Sequence, residues 1–343
     1  MTIFTRLKSA ARILLNGETQ KKKRGEIPAI TPDELAEIKQ FFPREKFFIL
    51  GHARSGTTLL MRLIRLHKDV HANYQAHFFT RAPMLKSLVD SPEAQDWLSR
   101  KSNRWNHGRD LSPLIMRAAA DFIMERDAAR EGKRIVGDKS PSSEIHGQIV
   151  RDMHAIYPDA KVIHIVRDGR DVLISERFRN FVEESKHLSA EDQQISDALK
   201  ADQTPFTDGR RSIFTETFIR RFGKRWADDL SEIDAEAKRL FADQTLSLRY
   251  EDLLAQPFSE MIKIWNFLGA DHDPALESEI QHEMNQNLDE EWQAKRNEAI
   301  ASFLPKGKAG NWRSMYTKHD QQVFKDVAGN VLAQWKYEND LNG

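Results

Sequence analysis

Three short apolar runs punctuate this chain, Lys46–Leu50, Arg134–Val136 and Val162–Val166, and Thr245–Leu248 supplies another strand. Each leads into polar or glycine-bearing residues. Continuous apolar runs of this length predict strands buried on both faces, rather than half-exposed strands with alternating polarity. Between them the pattern changes to a helical period. Leu59, Leu60, Leu63, Ile64 and Leu66 form one apolar stripe and predict a helix over Thr57–Leu66. Helix is also predicted over Met84–Met124 with a break near Ser112-Pro113, and from a Ser142 or Ser143 cap to Tyr157, where Pro158 stops it. Further helices are expected from Arg170 onward, over Ile213–Leu240, over Pro257–Leu268, and at the C-terminal end.

Strands that alternate with helices predict an α/β fold: a parallel sheet, P-loop NTPase-like, flanked by helices on both faces and carrying helical insertions. Residues 1–40 read as an N-terminal extension and 41–343 as one domain. Within the domain, the polar segment 183–210 is expected to be a mobile lid or insertion, and the acidic segment 276–300 an exposed helix. Ligands on such sheets bind beyond the carboxyl ends of the strands. The polar clusters of this chain fall there.

Charge narrows the partners. The 343 residues carry 52 basic and 52 acidic side chains, so no global basic field favours nucleic acid, and any anion site must be built locally. There is no cysteine, which excludes disulfides and thiolate metal sites and suits a reducing, cytoplasmic setting. The basic N-terminus holds the short apolar run Ile13-Leu14-Leu15, too short for a signal peptide or a membrane span. Weak peripheral membrane contact is the most it predicts.

"FFILGHARSGTTLL" places a glycine-bounded loop between a strand and a helix. Backbone N–H groups converge in such a loop, and the helix dipole adds positive charge, so it is expected to cradle a phosphate. Nucleotide triphosphatases carry a lysine after the second glycine to reach the far phosphates. Thr57 takes that place here, and the cation is Arg54, inside the loop. A donor with a shorter phosphate chain fits this change.

At these residues the chain resembles the sulfotransferases that use 3′-phosphoadenosine 5′-phosphosulfate (PAPS), most of all the carbohydrate and tyrosylprotein branch with an R-S-G-T-T loop; Ala53 replaces the proline of that branch. The resemblance runs in order from about Phe47 to Trp312. It implies that Arg54, Ser55, Gly56, Thr57 and Thr58 hold the 5′-phosphosulfate. In "VRDGRDVLIS" it implies that Arg167 and Ser175 hold the 3′-phosphate. The "GDKSP" segment is similar to the family's K-S-P element, which assigns Lys139 to catalysis beside Arg54. "PKGKAGNW" is similar to the R-K-G-x-x-G-x-W element and assigns Lys306 and Gly307 to the donor, although Pro305 stands where the arginine should be.

The general base is expected from "HANYQAHFF", which resembles an E-x-H-F-F element whose glutamate is the base. Gln75 occupies that position and cannot take a proton, so His77 is the expected base, with Asp138 and His146 in reserve. The implied activity is sulfonyl transfer from PAPS to a hydroxyl or amine of a small-molecule, lipid or carbohydrate acceptor by in-line displacement, with no metal required. Two alternatives stand beside it. One is a P-loop kinase, with Asp168 as a magnesium ligand. The other is a catalytically impaired, nucleotide-binding regulatory protein, which Gln75 keeps open.

Overall fold

The computed structural model describes residues 27–80, 84–141, 147–184, 187–271, 273–286 and 307–338. Five parallel strands form one sheet: β1 (Glu45–Leu50), β2 (Val70–Tyr74), β3 (Ile135–Lys139), β4 (Lys161–Val166) and β5 (Thr245–Arg249), in the order β2-β3-β1-β4-β5. Seven helices frame the site: α1 (Thr57–Arg65), α2 (Ser112–Arg130), α3 (Gly147–Ile156), α4 (Gly169–Glu183), α5 (Glu216–Phe241), α6 (Pro257–Leu268) and α7 (Lys318–Gln334).

Alternate residues of the central strands enter cores on opposite faces. Phe47, Ile49, Ile163 and Ile165 pack with α1 and α6 on one side. Phe48, Leu50, Val136 and Val162 pack with α2, α3 and α5 on the other. A sheet covered on both faces needs apolar residues at every position, which is why these strands read as unbroken runs. The expected α/β architecture is therefore present. Among the described residues no helix is long and apolar enough to cross a membrane.

Two differences from the sequence reading have physical causes. β2 was not expected. Its sequence, VHANY, has no apolar run, because it is an edge strand paired with β3 alone and opens toward solvent at Tyr74. β3 runs to Lys139 rather than stopping at Val136, so the polar Asp138 and Lys139 belong to the strand and are buried. The break at Ser112 falls where expected, as the start of α2, with Pro113 in its first turn. Within 183–210, Ala190–Ala201 and Thr204–Thr207 are helical and place Leu199 and Phe206 in the core beside α4 and α5. Of the acidic segment, Leu276–Met284 is a helix that buries Leu276 and Ile280, and residues 287–300 lie outside the described residues, as do Ser142, Ser143 and His146.

The chain runs from β1 outward to the β2 edge, returns through β3, and then crosses to β4 on the other side of β1. That reversal opens a crevice at the carboxyl ends of β1, β3 and β4.

Candidate active site

The loop after β1 spans Gly51 to Gly56 and feeds α1. Gly56 is the residue before the helix and has φ +85°, and a Cβ there would lie 2.2 Å from the Tyr250 ring. Glycine is required on both counts. Gly56→Ala should destabilise the protein by about 2–4 kcal/mol, combining left-handed strain with overlap against a buried ring. Urea unfolding would measure this. A loss of only about 1 kcal/mol, what the left-handed backbone costs by itself, would mean that Tyr250 simply moves aside.

Ser55 and Thr57 are buried, while Arg54 and Thr58 are half-buried at the loop's rim. The Ser55 hydroxyl has no hydrogen-bond partner among the described residues. Arg54 itself has φ +71°. Its Nε donates to Ser175 Oγ at 2.8 Å, across 121 positions of sequence. Arg167, at the end of β4, donates from Nη1 to the Arg54 carbonyl at 2.9 Å and from Nη2 to the Lys308 carbonyl at 3.0 Å. Its buried Nε has no partner among the described residues. Arg54, Arg167 and Ser175 thus form one connected cationic group against the glycine loop.

The acids flanking Arg167 are committed elsewhere. Asp168 caps α4 through the Arg170 N–H at 3.0 Å and takes a fork from the Arg170 guanidinium at 2.8–3.3 Å. Asp171 accepts the N–H groups of Gly310 and Trp312 at 2.6 and 3.0 Å. These two bonds dock the C-terminal glycine segment onto α4, and Trp312 lies under Arg170 with the guanidinium carbon 3.5 Å from the ring centroid. Gly307 is in this segment, and its carbonyl accepts the Tyr250 hydroxyl at 2.5 Å. Lys306 lies outside the described residues. Glu251 accepts the Asp168 N–H and the Tyr337 hydroxyl, and Asp252 pairs with Arg249, so both serve the scaffold.

Lys139 approaches the same loop from the other side. Its fully buried ammonium donates to Thr58 Oγ1 at 3.2 Å and sits 3.9 Å from the centroid of the Tyr74 ring. Burial lowers its pKa to about 8, with Asp138 holding it up in part. Burial raises Asp138 to about 6, opposed by bonds from Ser140 and the Ala76 N–H and by the Lys139 charge.

His77 lies beside this pair. Its N–H donates to Ser140 Oγ at 2.7 Å, and its Nδ1 is 2.8 Å from Thr80 Oγ1. Gln75 donates its N–H to the Lys139 carbonyl at 2.9 Å. Gln75 and His77 both have positive φ, at 58° and 53°. Arg54, Gln75 and His77 are three of the six described non-glycine residues with positive φ. Such strained residues gather at functional sites.

The sequence reading missed Tyr74, Tyr250, Thr80 and Ser140. Tyr250 stands one position before the acids of the "RYEDL" segment, and Tyr74 lies on the strand that was not expected. Neither carries a local signal for its place.

A family model described as "Sulfotransferase family" matches residues 46–274, more than half of the chain. The chain belongs to the sulfotransferase family. Among curated relatives, the nodulation protein NoeE of Sinorhizobium fredii is 24% identical over 295 residues, covering 86% of this chain and 66% of its own length. A protein-tyrosine sulfotransferase of Drosophila melanogaster is 23% identical over 232 residues, covering 67% of this chain and 39% of its own. The chain thus spans two thirds or less of the curated relatives it matches. A solved mouse sulfotransferase complexed with PAP aligns over 91% of this chain and 92% of its own, with 16% identity and a TM-score of 0.46.

Proposed function

We propose that this member of the sulfotransferase family transfers the sulfonyl group of PAPS to a hydroxyl or amine acceptor. One observation carries the reading. The glycine loop, with its cation Arg54, is joined directly to Arg167 and Ser175, so the residues that the family resemblance assigns to two separate anionic groups are in contact although they come from distant parts of the sequence. A nucleotide with charged groups at both ends of its ribose suits that pairing. The Ser55 hydroxyl and Arg167 Nε, both buried and without a partner among the described residues, are the donors expected where a phosphate is to complete the bonding. The family resemblance assigns Lys306 and Gly307 to the same nucleotide.

PAPS would supply the sulfonyl group, and the protein's own residues do the rest. Loop N–H groups and Thr57 and Thr58 hold the 5′ end, while Arg167 and Ser175 hold the 3′-phosphate. His77 takes the proton of the acceptor as its oxygen or nitrogen bonds to sulfur. Lys139 and Arg54 balance the charge gathered on the bridging oxygen as its bond to sulfur opens. The scheme assigns every charge to these cations and uses no metal. The kinase alternative needs Asp168 for magnesium, and that carboxylate is already held by the Arg170 fork.

His77→Ala is expected to lower kcat by about 10²–10⁴-fold, the usual worth of a positioned base, with affinity for 3′-phosphoadenosine 5′-phosphate unchanged. Labelled-sulfate transfer beside calorimetry separates the two quantities. Full turnover in the variant would remove His77 from this role. Tight nucleotide binding by the wild type with no transfer to a broad acceptor panel would favour the regulatory alternative.

Lys139 also sets a pH limit. Its ammonium is the active form and is lost as pH rises through about 8. Turnover should therefore fall on the alkaline side with an apparent pKa near 8, and Lys139→Arg should remove that limb. A wild-type profile flat to pH 10 would show that the Lys139 charge is not used.

A further inference from the structure

The backbone around Arg167 is held from the far end of the chain. There α7 closes on a Schellman turn. Lys336 is left-handed at φ +58°, and its N–H donates to the Ala333 carbonyl at 3.0 Å. The Tyr337 N–H donates to the Leu332 carbonyl at 2.8 Å. Glycine usually stands where Lys336 does, since a side chain there costs about 1 kcal/mol. Two arginines hold this turn in place. Arg249 donates to the Lys336 carbonyl at 3.2 Å, and Arg170 donates to the Tyr337 carbonyl at 3.2 Å and to Glu338 at 2.6 Å. The chain is thereby folded back from α7 onto the connection between β4 and α4.

At that connection the Tyr337 hydroxyl meets Glu251, from the short helix Tyr250–Ala255. It donates to Glu251 Oε2 at 2.7 Å, with the Val166 carbonyl a longer acceptor at 3.3 Å. The other Glu251 oxygen accepts the Asp168 N–H at 3.0 Å. Val166 and Asp168 are the neighbours of Arg167 in sequence. The peptide groups on its two sides are therefore tied to one tyrosine–glutamate couple. The guanidinium is fixed separately, by the Arg54 and Lys308 carbonyls. Backbone and head of the side chain thus have independent anchors. Resting on the donor reading above, we propose that Tyr337, acting through Glu251, is a positioning residue that aims Arg167 at the 3′-phosphate. A hydroxyl that only stabilised the fold would act on every ligand alike. One that sets Arg167 acts on the 3′ charge alone.

The test is calorimetry on the full chain with 3′-phosphoadenosine 5′-phosphate and with adenosine 5′-monophosphate. Tyr337→Phe keeps the ring and removes the hydroxyl. It should weaken the bisphosphate about 3–10-fold, what the loss of one hydrogen bond amounts to, and leave the monophosphate within about twofold. Glu251→Gln should bind both ligands as the wild type does. Its amide still accepts from Asp168 and bonds the tyrosine oxygen, which leaves the hydroxyl proton for Val166. In an Arg167→Ala background, Tyr337→Phe should cost nothing further, because the two act as one unit. Equal losses for the two ligands, a loss that adds in full to that of Arg167→Ala, or no loss at all would overturn the proposal. So would a Glu251→Gln loss as large as that of Tyr337→Phe, which would trace the effect to charge. If melting curves show Tyr337→Phe to be unfolded, Glu251→Ala opens the same couple from its other side and carries the same expectations. Bisphosphate binding that is indifferent to these variants sinks this inference alone. Failure of the wild type to bind the bisphosphate sinks the donor reading beneath it.

Discussion

Lys139→Ala should reduce turnover by about 10²–10³-fold, the range seen when one preorganised donor to a developing negative charge is removed, while affinity for 3′-phosphoadenosine 5′-phosphate changes only a few-fold. The separation follows from where the ammonium stands. It is fully buried, it touches the loop through Thr58 rather than through the Arg54, Arg167 and Ser175 group, and it is held over the Tyr74 ring. An ammonium in such a site is poorly screened by water, so its field on a leaving oxygen is strong. The same burial brings its pKa down to about 8, which leaves it mostly charged at neutral pH. Transfer of labelled sulfate gives turnover, calorimetry gives the nucleotide affinity, and a melting curve shows whether the variant is folded. A folded variant with wild-type turnover would place the charge balance elsewhere. A variant that loses nucleotide affinity and turnover together would make Lys139 a binding group.

Arg167→Ala should act in the opposite sense. Affinity for the 3′,5′-bisphosphate should fall by about 10–100-fold, because hydrogen bonds to charged groups are worth roughly 1.5–3 kcal/mol each. Affinity for adenosine 5′-monophosphate, which lacks the 3′ charge, should change little. Arg167 also bonds the Arg54 and Lys308 carbonyls, so the variant loosens the contact between the glycine loop and the C-terminal segment. Arg167→Lys separates the two effects. It keeps the charge and loses the planar fork, and should fall between wild type and alanine. Equal losses for the bisphosphate and the monophosphate would mean that Arg167 shapes the loop without selecting the 3′-phosphate. Dissociation constants within twofold of wild type for both ligands would remove it from the site.

Sequence alone specified the sheet's interior and the loop. β1, β4 and the start of β3 were legible because burial on both faces demands apolar residues there, and the edge strand β5 was legible through the alternating Leu246 and Leu248 that it sends into one core. The glycine loop was legible because its donors and its helix are contiguous, so their chemistry is local. β2 was not legible, since an edge strand needs no apolar run. Nor could sequence show that Arg54 and Ser175 meet, or that Tyr250 fills the space a Cβ at Gly56 would need. Those contacts join residues more than a hundred positions apart, and no local pattern encodes them. The tertiary structure decided them by bringing the ends of β1, β3 and β4 to one crevice. It also decided which apolar side chains stay outside. Helical periodicity marks the stripe of α2 that can enter a core, but what else will pack on the helix, and hence whether Phe122 and Ile123 remain uncovered, depends on chain segments far away in sequence.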